Sequence, residues 1–155
     1  MNKSERGVAT VEFAITATVF FMMLVVIVIG AHIYWTNNAL VEATRRGARY
    51  AANQQKPATQ ACTNASTTVD PIKNVVLYNT PNPALGATPL VPGLAASNVT
   101  VCYDLNYGVA AGSVSVKIEN YQYNLRLPGV SRTITFLPFQ STMVGENAGY
   151  IPADK

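Results

Sequence analysis

Arg6-Gly7-Val8-Ala9-Thr10-Val11-Glu12-Phe13 opens an apolar run that extends to about Trp35. From Phe13 to Trp35 there is no Asp, Glu, Lys or Arg. As a helix such a run is roughly 34 Å long, enough to cross a bilayer core with some tilt. Lys3, Glu5 and Arg6 precede it, and one carboxylate, Glu12, sits inside its leading edge. A carboxylate in hydrocarbon costs on the order of a few kcal/mol, so Glu12 needs an explanation.

The rest of the chain bounds the answer. Of 155 residues, those beyond the run suffice for one small domain with a core of its own. Charged residues make up 12%, about half the usual share, because the apolar excess sits in the first third. The net charge of +3 is not gathered into a long basic block, which argues against a nucleic-acid partner. Cys62 and Cys102 both follow the run. Two cysteines downstream of an export segment read as one disulfide in an oxidising compartment, with two buried free thiols as the alternative.

Three readings of the run compete. A cleaved secretory signal has an apolar stretch of about 7–15 residues and a small-x-small site behind it. This run is longer, and Ile29-Gly30-Ala31 is a weak site. A plain membrane anchor explains the length but leaves Glu12 idle. The third reading gives Glu12 a function. Gly7-Val8-Ala9-Thr10-Val11-Glu12-Phe13 resembles the processing site of type IV pilin-like proteins, a glycine followed by four residues and a glutamate. Asn38-Ala39-Leu40-Val41-Glu42-Ala43-Thr44-Arg45-Arg46-Gly47-Ala48-Arg49-Tyr50-Ala51 resembles the segment that closes the helix in the TadE-like family of minor pilins, or pseudopilins, of tight-adherence (Tad, Flp or type IVc) pili. The likeness covers about a third of the chain.

That resemblance implies a division of the chain. Residues 1–7 would be a leader, removed by a prepilin peptidase between Gly7 and Val8. Residues 8–35 would cross the inner membrane with the N-terminus cytoplasmic and the C-terminal domain periplasmic or extracellular. Glu12, with Phe13 beside it, would pair its charge with the new terminal amine of a neighbouring subunit. The partners implied are other minor and major pilins, the peptidase and the inner-membrane assembly platform. The implied role is pilus assembly or structure in adhesion, with no enzymatic activity. The charge bias is not clean, since Arg45, Arg46 and Arg49 follow the run as well. A membrane-anchored binding or adhesive module without a pilus role is the competing function.

No proline occurs from Val8 to Gln54, so the helix can continue past Trp35 to Lys56-Pro57. Over residues 36–54 the pattern turns amphipathic, with Leu40, Ala43, Gly47, Tyr50 and Ala51 on one side. Glu42, Arg46, Arg49 and Asn53 fall on the other, and Glu42 precedes Arg46 by four, the favourable order for an ion pair. Arg45, Arg46 and Arg49 read as a solvated face, or as a contact with lipid headgroups or a neighbouring subunit. Tyr34 and Trp35 suit an interfacial aromatic belt. His32 is the chain's one histidine and has no Cys, Asp or Glu nearby, so no metal is expected.

Residues 55–155 read as a small α+β domain packed on the end of the long helix. Gln54–Val69 is polar and reads as a loop. Asp70-Pro71 marks a helix start, with a short helix expected from Pro71 to about Tyr78. Asn79–Gly93, crowded with proline and glycine, reads as a long irregular loop. Period-two alternation then appears around Val99–Val101, Val114–Ile118 and Ile134–Phe136, with a fourth strand from Gln140 to Val144. Turn chemistry at Asn106-Tyr107-Gly108, Ala111-Gly112 and Leu127-Pro128-Gly129 suggests an antiparallel meander. The family's last strand is matched near Met143-Val144-Gly145-Glu146. No arrangement of nucleophile, base and phosphate loop appears, and the many tyrosines read as strand and core packing, with an adhesive or carbohydrate-contacting surface as the alternative. No cofactor is implied.

Overall fold

The structure, a computed structural model, describes residues 3–54, 62, 70–103, 112–127 and 130–144. The loop expected over 55–69 apart from Cys62, the turn at 106–108, Ala111, Pro128-Gly129 and the strand end at Gly145-Glu146 lie outside those residues. Two compact units are present, Met1–Asn38 and Ala39–Lys155.

The first unit is helical. Helix α1 spans Lys3–Ala52 without a break, as the absence of proline and the many alanines allow. Its apolar side chains stand free: Val11, Phe13, Phe20, Phe21, Met22, Val26 and Ile27 are all exposed. None of the most apolar 18-residue window is buried, and the helix is long and apolar enough to cross a membrane. The hydroxyls of Thr16 and Thr18 donate to the Glu12 and Ala14 carbonyls, which satisfies both on an apolar helix surface.

The second unit holds the core. The α1 residues Leu40, Ala43, Thr44, Gly47, Ala48 and Ala51 are buried, a stripe at i, i+3, i+4, i+7, i+8 and i+11. Thr44 belongs to it because its hydroxyl donates back to the Val41 carbonyl. Helix α2 (Asp70–Tyr78) begins one residue before the expected start and buries Ile72, Val75, Val76 and Leu77. It stops at Asn79, which takes a left-handed φ of 60° and donates its N–H to the Val75 carbonyl. The loop from Asn79 to Gly93 is irregular, as expected, but it is pinned. Asn74 Nδ2 donates to the Pro81 carbonyl, and the Leu90 N–H donates to the Leu77 carbonyl. Val91 and Leu94 thereby enter the core.

A 3₁₀ turn at Ala96–Asn98 leads into β1 (Val99–Tyr103). The other strands are β2 (Ser113–Ile118), β3 (Gln122–Leu127), β4 (Val130–Thr135) and β5 (Phe139–Val144). All pairings are antiparallel, and with the two helices they make the fold α+β. The order departs from the expected meander. One sheet runs β1-β2-β5, and β3-β4 form a separate hairpin. The reason lies after β2. Asn120 has a φ of 55°, and Asn98 Nδ2 donates to both the Glu119 and Asn120 carbonyls, which turns the chain out of the sheet. The second edge of β2 is then taken by β5, with Ser113 opposite Val144 and Ile118 opposite Phe139. β3 adds a strand that the sequence expectation lacks, although Tyr123 and Leu125 alternate there with Gln122 and Asn124.

Val99, Val101, Val114, Val116 and Ile118 bury one face of this sheet together with the α1 stripe and α2. At the closest approach a Cβ on Gly47 would collide with Val76 Cγ2 and lie 3.3 Å from Val116 Cγ1. The Tyr103 hydroxyl donates to the Ala51 carbonyl at 3.4 Å, between β1 and the last turn of α1.

Candidate functional site: the surface of α1

Within the first unit Gly7 is exposed, and nothing lies within 4 Å of where its Cβ would be. Val8 is 66% exposed, so both residues of the candidate scissile bond are open on the helix surface, and Phe13 beyond them is 73% exposed. Glu12 is exposed on the same helix, one turn beyond Val8. Its carboxylate makes no ion pair among the described residues. A charged group set in an apolar surface, with no ion-pair partner among the described residues, is open to one from outside the chain.

Within the second unit Arg45 and Arg49 are exposed, and Arg46 is half-buried with its Nε out of solvent and without a hydrogen-bond partner. The expected Glu42–Arg46 ion pair is not formed. An ion pair does join Lys117 to Glu119, which face the same side of β2 and its end. The outcome follows from magnitudes. An exposed i,i+4 pair contributes only about 0.3–0.5 kcal/mol. Burying several methylenes of an arginine stem contributes about 0.8 kcal/mol each. Arg46 borders the buried stripe, so packing of its stem decides where it lies. Glu42 is left exposed among three guanidinium groups.

Cys62 and Cys102 are joined by a disulfide with a Cα–Cα distance of 4.0 Å and a sequence separation of 40. It fastens residue 62, beyond the end of α1, to β1. Among the described residues no three His, Cys, Asp or Glu side chains gather to hold a metal. His32 instead lies near Trp35, ring centres 5.9 Å apart.

One tyrosine has a role that counting tyrosines does not reveal. Tyr121 is 2% exposed, and its hydroxyl donates to the Pro92 carbonyl at 2.8 Å. Burial raises its phenol above the ordinary value, and Tyr123 nearby pushes the same way. It marks a core position, not a binding surface, and the Pro-rich loop it holds is the signal that a buried donor was needed there.

Nothing among curated proteins or solved structures matches this chain. A family model does match, over residues 7–49, less than a third of the chain. That interval takes in Gly7, Glu12, the apolar helix and all three arginines. Over residues 7–49 the chain is similar to the family described as TadE-like protein, which is consistent with a Tad pilus-associated protein.

Proposed function

We infer that the protein is a minor pilin or pseudopilin of a Tad-type pilus. It is held in the inner membrane by α1, cut by a prepilin peptidase between Gly7 and Val8, and works in pilus assembly or structure. The observation that carries this reading is Glu12. It is an exposed carboxylate without an ion-pair partner among the described residues, at the leading edge of a helix long and apolar enough to cross a membrane. Cutting after Gly7 creates an ammonium at Val8, one helical turn away. On neighbouring subunits the two charges offset each other's desolvation and set axial register, and removing either leaves the other unpaired. The C-terminal domain then lies on the periplasmic side, where its disulfide is stable.

Intact mass of the protein from membranes tests the cut and is expected to show a chain starting at Val8. A start near His32 would mark an ordinary secretory signal and end the pilin reading. In the same cells Glu12→Ala is expected to leave the cut intact while co-purification with the major pilin and the number of surface pili fall. Unchanged pili with Glu12→Ala would reduce α1 to a simple anchor.

A further inference from the structure

We propose that one end of the C-terminal domain, the end at which its part of α1 begins, rests on the bilayer that holds α1. Leu90 and Leu137 enter the headgroup layer there, and Arg132 of the β3–β4 hairpin meets anionic phospholipid. The proposal rests on the membrane-held α1 of the reading above and goes beyond it.

Contacts within the second unit fix which end that is. Tyr103, the last residue of β1, donates to the Ala51 carbonyl in the last turn of α1. Val116, which pairs with Val101, lies against Gly47. From Gly47 to Ala51 is about 6 Å of helix, and from Val101 to Tyr103 about 6.6 Å of strand. β1 and this part of α1 therefore run side by side in the same direction. Val99 and its partner Ile118 lie one step back, toward the Ala39 end. Phe139 is opposite Ile118, so β5 starts at that end and Leu137-Pro138 stand just before it. The Phe136 N–H donates to the Tyr121 carbonyl, and the Tyr121 hydroxyl donates to the Pro92 carbonyl. The neighbours of Leu137 and Leu90 are thus tied to one residue. Leu137 is 84% exposed and Leu90 48%, so two leucines stand open at this end.

Reach and charge select the occupant. The second unit begins at Ala39, four residues after Trp35, which is about 6 Å of helical rise. A headgroup layer is about 5–7 Å deep on each side, so no stalk lifts this end of the domain clear of it. The hairpin rooted at the same end, between Tyr121 and Phe136, contains Arg126 and Arg132 and no Asp or Glu. Arg132 is exposed. Glu119, at the end of β2, is already paired with Lys117. On α1, Glu42 is outnumbered by Arg45 and Arg46 within the next turn. Open leucines with a surplus of cations beside them match anionic headgroups over hydrocarbon. Because α1 already holds the chain at the surface, a contact that would be weak for a free domain forms at high effective concentration.

The test uses the full chain in vesicles of phosphatidylcholine and phosphatidylglycerol, with a photo-crosslinking residue replacing either Leu137 or Val144. Both positions are exposed, and along β5 they are roughly 20 Å apart, Val144 at the end away from the bilayer. Flotation of the vesicles after an alkaline wash reads anchoring by α1, and an intact Cys62–Cys102 bond reads folding. Illumination is expected to give at least threefold more phospholipid adduct at Leu137 than at Val144. Arg132→Glu, and omission of phosphatidylglycerol, are each expected to lower the adduct at Leu137 by about threefold or more. Equal adducts at the two positions, no effect of Arg132→Glu, or a Leu137 probe that joins a second copy of the chain in place of lipid would overturn the proposal. A chain that does not float would sink the membrane-held reading and this proposal together. One that floats and is cut after Gly7, yet takes no lipid at Leu137, would refute this proposal and leave that reading standing.

Discussion

Tyr121 shows how much one side chain can hold. Its ring fills the core beside Phe136, centres 5.6 Å apart, and its hydroxyl ties the chain after β2 to the Pro-rich loop at Pro92. Because burial raises its pKa in the folded state, the folded chain binds the phenolic proton more tightly than the unfolded chain. The contribution is therefore fully present below the unfolded value near 10 and is lost as pH rises through the folded value. Urea unfolding at rising alkaline pH is expected to show stability falling more steeply in wild type than in Tyr121→Phe. Parallel curves would mean that this phenol does not titrate differently in the two states. At neutral pH Tyr121→Phe is expected to cost about 1 kcal/mol, since it leaves the Pro92 carbonyl without its donor. In the sequence Tyr121 is one tyrosine among eight. No local pattern separates a tyrosine that anchors a loop from one that lines a strand.

At the scale of the element, α1 and α2 meet through a glycine. Gly47→Ala would drive a methyl into Val76 and against Val116, both buried, in a β-branched neighbourhood with little rotamer freedom. Overpacking of this kind costs about 1–3 kcal/mol, while alanine regains about 1 kcal/mol of helix propensity. The net expectation is a loss of up to about 2 kcal/mol in urea unfolding of the full chain in detergent. Gly30→Ala is the control, since nothing lies within 4 Å of its Cβ position and no loss is expected there. Equal behaviour of the two variants would show that the α1–α2 approach tolerates a methyl. The apolar side of residues 36–54 was legible because helical period and burial coincide. Thr44 was not, because a hydroxyl that returns to its own helix looks polar in sequence and behaves as a small apolar group. β3 was missed for a related reason. Its alternation is sound, but a two-stranded hairpin buries little, so its residues Gln122, Asn124 and Thr133 stay polar and weaken the pattern.

At the scale of the whole molecule, few regular elements surround the core, and the disulfide supplements it. Closing 40 residues of chain removes denatured-state entropy worth roughly 4 kcal/mol in the chain-entropy model. Small domains with long loops depend on such staples. Replacing Cys62 and Cys102 together by serine is expected to lower the urea midpoint by an amount of that order or somewhat less. Alkylation of both thiols without reductant, in protein taken from cell envelopes, would show the bond absent.

Sequence alone determined those features that rest on local periodicity and reach. The long α1, its apolar stretch, the solitary Glu12, the amphipathic turn after Trp35, α2 and the period-two strands each follow from spacing along the chain. The tertiary structure decided which strand fills the second edge of β2, because Asn98 and Asn120, 22 residues apart, must meet before β3 can leave the sheet. It also decided that Arg46 packs its stem and leaves Glu42 unpaired. Both outcomes depend on free energies between residues or groups brought together by folding. A local pattern records what each residue prefers, and only the packed molecule determines which preference prevails.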